Sequence, residues 1–291
     1  MSRVSKPSVV RDLWELTKPK ITRMNVLMAL GGYALAGGAF DAPLVVTALL
    51  GTALAVASAN VLNQYLERNI DGRMARTAGR PLPTQRMNPR VALWFGIGLG
   101  VLATAMLYAL VNAVTAALGV FALLSYVLVY TPLKQRTPLS LLVGAVPGAI
   151  PPLMGWTAAS GVIDPGGVAL FGILMVWQLP HFIAIALYRK DDYARAGFKT
   201  VPVVRGDRVA KAQAIAWSLA LVPITLTLIP LGVASWMYGG VALVLGLWFV
   251  GWAVRGLRAD AGVKWARGFF LFSVAYLPAL ILALAVDVSI F

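Results

Sequence analysis

The sequence predicts an all-α polytopic membrane protein with nine transmembrane helices. Three observations predict it. Hydrophobic residues make up 59% of the 291 positions and charged residues only 12%, against about 25% charged in a typical soluble domain. Apolar stretches run on for about 20 residues, enough for a helix to cross a hydrocarbon core about 30 Å thick. All 25 Lys and Arg residues also fall on one side of the membrane once those stretches are numbered from the N-terminus. The composition excludes a soluble enzyme, a disordered chain and a fibrous protein. The long apolar runs exclude a transmembrane β-barrel, whose strands alternate apolar and polar residues.

The spans lie at 21–40, 43–65, 92–111, 113–130, 139–159, 166–187, 211–231, 235–254 and 268–288. The third and fourth nearly touch, and merging them would put basic residues on both sides. Kept apart, they leave every Lys and Arg in the N-terminal tail, at the edge of the first span, or in the loops after spans two, four, six and eight. The positive-inside rule then gives a cytoplasmic N-terminus and a C-terminus outside. The expected location is a bacterial inner membrane, with one domain over 1–291. The tail is too short and charged to be a cleavable signal; its run from Val9 to Pro19 reads as a short interfacial helix stopped before the proline. Cysteine is absent, which excludes a disulfide framework, a thiolate metal site and a Cys nucleophile. The net charge of +14 is explained by topology, and no nucleic-acid partner is expected.

Two cytoplasmic loops stand out by length and charge, one from Glu67 to Arg90 and one from Tyr188 to Lys211; long ordered connections are often functional. At the end of span two, Asn63, Glu67 and Asp71 are four residues apart, which on a helix puts their oxygens on one face. Two carboxylates and an amide carbonyl make a hard-oxygen site of the kind Mg²⁺ prefers, where a lone acid would be an ordinary polar helix end. Arg73, Arg76 and Arg80 follow, and Arg76 and Arg80 are candidate ligands because a guanidinium fork suits phosphate oxygens. Arg86 and Arg90 read as ordinary positive-inside residues. In the second loop Asp191 and Asp192 sit among Arg189, Lys190, Arg195 and Lys199. Adjacent residues on a helix face different ways, so one acid is the metal ligand, by preference Asp191, with Asp192 capping or paired to a base.

Tyr130 and Lys134, in Y-T-P-L-K, face the same end, where Lys134 can add a point charge; the pair alone also fits ordinary interfacial chemistry. His181 is the only histidine. It lies in W-Q-L-P-H-F, about 15 Å below Asp191 if the segment is helical. An ionisable group inside a membrane is a functional candidate by default, and a neutral imidazole can bind haem iron.

With these motifs in hand, the chain resembles the UbiA-type intramembrane prenyltransferases over essentially its whole length. N-x-x-x-E-x-x-x-D with R-T-x-x-R-P-L carries the broad resemblance. N-Q-Y-L-E-R-N-I-D, Y-T-P-L-K, W-Q-L-P-H-F and R-K-D-D-Y-x-x-A-G resemble the haem O synthase branch. The resemblance implies a UbiA-like bundle in which Asn63, Glu67, Asp71 and Asp191 hold Mg²⁺ at the cytoplasmic face. It implies that Arg76, Arg80, Lys134 and Lys190 contact a diphosphate, and that Tyr130, Trp177, His181 and Asp192 belong to the substrate site. Many relatives carry D-x-x-x-D in the second loop; here the position four after Asp191 is Arg195, and Asp192 is the available substitute.

The implied reaction transfers a farnesyl group from farnesyl diphosphate to a vinyl group of haem B, with addition of water, giving haem O. Haem B is substrate rather than cofactor. The implied partners are the lipid bilayer and a downstream haem A synthase or oxidase assembly proteins. Two rival readings are an aromatic prenyltransferase making quinone precursors, which should not depend on His181, and a membrane transporter. Transporters often carry inverted repeats and midplane acids, whereas these acids cluster at one face.

Overall fold

The computed structural model describes residues 8–37 and 40–290 as a bundle of helices. Arg3 and Lys6 of the basic tail, and positions 38–39 of the first predicted span, lie outside the described residues. In chain order the helices are α1 (Val9–Leu16), α2 (Pro19–Leu35), α3 (Ala42–Asp71), α4 (Pro89–Leu110) and α5 (Ala113–Leu124). A π-helical turn (Ser125–Tyr130) leads into the single turn α6 (Thr131–Leu133), followed by α7 (Ser140–Ser160) and α8 (Pro165–Tyr188). Two short helices, α9 (Lys190–Arg195) and α10 (Val201–Val204), precede α11 (Gly206–Leu226), α12 (Trp236–Val254) and α13 (Val263–Ile290).

Eight helical segments among the described residues are long and apolar enough to cross a membrane. The first predicted span falls outside this set. It is the 17-residue helix α2, which stops because Gly37 takes a left-handed conformation (φ 68°). Spans three and four are separate helices, as the charge pattern requires. Their break at Asn112 is built into the packing: its side chain caps α5 through the amide of Thr115 (2.8 Å) and donates to the Thr157 carbonyl of α7 (2.8 Å). The interfacial segment forms α1 and ends at Thr17, just before Lys18 and Pro19.

Helix α7 is the hub, with 72% of its apolar stretch buried. Small residues let α2 lie against it backbone to backbone, which in a bilayer replaces the missing hydrophobic drive between helices. A Cβ on Gly32 would sit 1.9 Å from the Pro152 carbonyl oxygen, and one on Gly155 would sit 1.7 Å from that of Ala29. Around α8, α11, α12 and α13 the core is aromatic: Phe249 packs edge-on against Tyr276 and Phe269. At the far end, the buried Asp287 of α13 accepts from the backbone amides of Ser235 (2.7 Å) and Tyr238 (3.0 Å), satisfying the first turn of α12.

The clash at Gly155 involves main-chain atoms that cannot rotate away. Gly155→Ala should therefore cost about 1–3 kcal/mol or more of stability, as overpacking does. Gly98→Ala, which meets nothing within 4 Å, should leave stability unchanged or slightly raised. Thermal denaturation of both variants in detergent micelles checks this.

Candidate functional site

The last three turns of α3 carry five polar side chains, Asn60, Asn63, Gln64, Glu67 and Asp71, each no more than 5% exposed. A bundle end can hold so many only if other segments arrive with partners. Gln64 Nε2 donates to the Leu16 carbonyl (2.6 Å) and Asn60 Nδ2 to that of Thr17 (3.3 Å), which fixes the corner between α1 and α2. Asn63 Nδ2 donates to Glu67 Oε2 (2.9 Å) and to Thr131 Oγ1 (3.1 Å). Asn63 and Glu67 thus share a face, although Asn63 turns its nitrogen rather than its oxygen toward the acid.

Each acid has a cation. Glu67 is ion-paired with Lys134. Asp71 Oδ2 is 2.6 Å from Arg80 Nη1, while Asp71 Oδ1 is buried without a hydrogen-bond partner. Lys134 is aimed by the π turn: the added residue lets Thr131 Oγ1 donate to the Tyr126 carbonyl (2.8 Å), and π turns recur at functional sites. The Tyr130 ring lies against Gly144, where a Cβ would sit 2.4 Å from Cε2, and the Lys134 ammonium lies 4.9 Å from the ring's centre.

A third cation, Lys18, comes from the tail. It takes a left-handed conformation (φ 49°, ψ 65°) immediately before Pro19, a strained choice for a residue with a Cβ. The corner aims its Nζ at Asn63 Oδ1, 3.1 Å away. Part of its surface is exposed, but burial of the ammonium, with repulsion from Arg80 and Lys134, pulls its pKa down to about 7. Sequence reading passes over Lys18 because a Lys beside the first span is ordinary belt chemistry. Its role depends on backbone geometry and on a contact 45 positions away.

The two acidic loops meet: Met74 of the first packs with Ala196 and Phe198 of the second, and the Lys199 amide donates to the Lys134 carbonyl (2.8 Å). Tyr193 lies at this junction; burial pushes its phenol pKa up, while Arg76 and Lys134 pull it down. Arg76 itself is exposed.

The acids of the second loop diverge. Asp192 is bound by Arg189 (3.6 Å) and Arg195, while Asp191 is exposed in the first turn of α9. Among the described residues no three acidic or histidine side chains gather into a group able to hold a metal, so Asp191 is not joined to Glu67 and Asp71 here. Lys190 pairs with Asp207 (2.7 Å). Arg86 does more than mark topology: it contacts Asp12 (3.4 Å) and Glu15 (3.3 Å), holding α1 to the first loop.

Deeper in α8, the Trp177 and His181 rings stack 4.8 Å apart. His181 is seven residues from the end of α8, about 10 Å. The helix breaks at Arg189, so the continuous helix assumed in expecting about 15 Å to Asp191 is interrupted before that residue.

The chain belongs to the UbiA prenyltransferase family, whose model matches residues 25–274. It is 50% identical over 283 residues to the protoheme IX farnesyltransferase of Myxococcus xanthus (strain DK1622), covering 97% of this chain and 96% of that one. It is 48% identical, also over 283 residues, to the protein of the same name from Anaeromyxobacter sp. (strain Fw109-5), covering 97% and 95%.

Among solved structures it resembles digeranylgeranylglyceryl phosphate synthase, with TM-score 0.82, 16% identity, and coverage of 96% of this chain and 98% of that one. It also resembles a UbiA homolog from Archaeoglobus fulgidus bound to GPP and Mg²⁺, with TM-score 0.70, 16% identity, and coverage of 94% and 99%. At such identities the likeness is one of fold.

Removing one partner of a buried ion pair strands the other. Lys134→Met should cost about 2–3 kcal/mol, near the low end for such pairs because Lys134 retains some solvent. The double variant Glu67→Gln/Lys134→Met should recover much of the loss. Thermal denaturation in detergent reads both.

Proposed function

We propose that this chain transfers the farnesyl group of farnesyl diphosphate to a vinyl group of haem B, with water addition, releasing diphosphate and haem O. The observation that carries the reading is the paired-charge end of α3, with a buried Asp71 oxygen lacking a partner, in a chain half identical to a protoheme IX farnesyltransferase. In this reading α2 is a ninth span tucked against α7. The N-terminus and both loops face the cytoplasm, the C-terminus lies outside, and residues 1–291 act as one domain in a bacterial inner membrane. The product would pass to a haem A synthase or to oxidase assembly proteins.

The donor set fits Mg²⁺, since two carboxylates and an amide oxygen, with one Asp71 oxygen lacking a partner, suit that hard cation. Glu67, Asp71 and Asn63, after a turn of its amide, would hold it, with Asp191 contributing from α9. When bound, Mg²⁺ offsets the charge that grows on the departing diphosphate.

The chain's own residues bind and orient. Arg80 presents a fork to the diphosphate oxygens and Arg76 adds a second from the loop junction. Lys18 and Lys134 supply point charges, and Lys190 adds another after leaving Asp207. Asp192 stays with its arginines and keeps α9 folded beside the site. Tyr130 closes the rim. Below it, Trp177 and His181 face the porphyrin, and the apolar interior keeps water from an allylic cation until the vinyl group has reacted.

The purified protein, given farnesyl diphosphate, haem B and Mg²⁺, should yield haem O by mass, and EDTA should abolish the product. Turnover that persists in EDTA overturns the metal dependence. Arg80→Lys keeps the charge but loses the fork, so it should lower kcat/KM for farnesyl diphosphate roughly 10- to 150-fold, the scale of one charge-assisted contact. Arg258→Ala, remote on the same membrane side, should be near neutral. Equal damage from the two would mean that the arginines act only through general electrostatics or topology.

A further inference from the structure

His181 and Trp177 are mounted on one residue of another helix. Trp177 Nε1 donates to the Ser273 carbonyl (3.0 Å), and His181 Nδ1 lies 2.7 Å from Ser273 Oγ. Ser273 is fully buried, and its Oγ lies 2.6 Å from the Phe270 carbonyl oxygen. That oxygen only accepts, so the single hydroxyl proton of Ser273 is committed to it. Oγ can then only accept from His181, which places the ring proton on Nδ1 and leaves Nε2 as an unprotonated lone pair. Nε2 has no hydrogen-bond partner among the described residues. The imidazole is held between the Trp177 ring and the Phe270 ring, the latter 5.0 Å away. A base at this position would have no neighbour to receive its proton.

We infer that Ser273 is a positioning residue that locks His181 in the Nδ1–H form, so that Nε2 coordinates the iron of the haem acceptor. A hydrogen bond to the far ring nitrogen sets tautomer and ring orientation in this way at many metal-binding histidines. The iron half of this inference rests on haem B being the substrate; the tautomer half does not.

The chain has one histidine, so ¹⁵N-histidine labelling of the whole protein in micelles reports a single ring. At about pH 8, where an ordinary imidazole is neutral, wild type should show a protonated Nδ1 and a bare Nε2. Ser273→Thr, which keeps the hydroxyl, should preserve that pattern, and Ser273→Ala should lose it.

Ferric haem B added to wild type should give the optical spectrum of a nitrogen-ligated iron. His181→Gly should lose that spectrum and regain it with free imidazole. Ser273→Ala should weaken haem affinity about 10- to 100-fold, as loss of such a supporting partner does. A wild-type ring protonated on Nε2, or a haem spectrum unchanged in His181→Gly, overturns the inference. Nitrogen-ligated haem without farnesylation would instead sink the proposed activity and leave the ligation standing.

Discussion

The structure depends on one constraint: α3 carries two carboxylates and three amides to its end in a poorly solvated setting, and none can be left unpaired. Stranding a charge where the dielectric is low costs several kcal/mol even after relaxation. Three cations therefore converge there from distant stretches of chain: Lys18 from the corner after α1, Arg80 from the first loop, and Lys134 from the turn after α6. Two of the amides, Asn60 and Gln64, bind carbonyls of the α1–α2 corner and so hold Lys18 in place. The same helix face thus carries the charges and the struts that bring their partners.

Some of the irregular backbone of the molecule lies at this convergence. The left-handed Lys18 and the π turn before Lys134 are local departures from ideal helix, and Gly144 of α7 leaves room for the Tyr130 ring. Each lies beside the α3 end, and the contacts made by the cations and the ring offset their cost. Regular helix would place Lys134 on another face, because inserting a residue turns everything after it by about 100°. Elsewhere the bundle relies on close backbone approach, and α2 against α7 is the tightest case.

The fold class was legible because hydropathy and one-sided charge are properties of segments and need no tertiary information. The acids on α3 were legible for a similar reason: a four-residue spacing maps directly onto one helix face, and Asn63 contacts Glu67 accordingly. The limits appear where function depends on contacts across the fold. The apolar window runs through Gly37, whose left-handed backbone ends α2 at 17 residues, shorter than the predicted span. Arg86 looks like a topology marker until Asp12 and Glu15 are found beside it. Ser273 has no signal at all, since a serine in an apolar helix is unremarkable until His181 lies against it from 92 positions away.

The pairing also bears on how the two ligands of the proposed reaction depend on each other. Without ligand, the carboxylates of Glu67 and Asp71 occupy Lys134 and Arg80, so the rim is close to neutral and stable in a poor solvent. A divalent cation alone would have to compete with those side chains for the acids. A diphosphate alone would have to draw the same side chains away and strand the acids. Taken together, the two ligands exchange partners with the pairs already present and leave no charge uncompensated. The affinity for each must then rise when the other is bound, and by the same factor in both directions. In the proposed reaction, cooperative uptake of metal and diphosphate thus follows from the counter-ions chosen by one helix end.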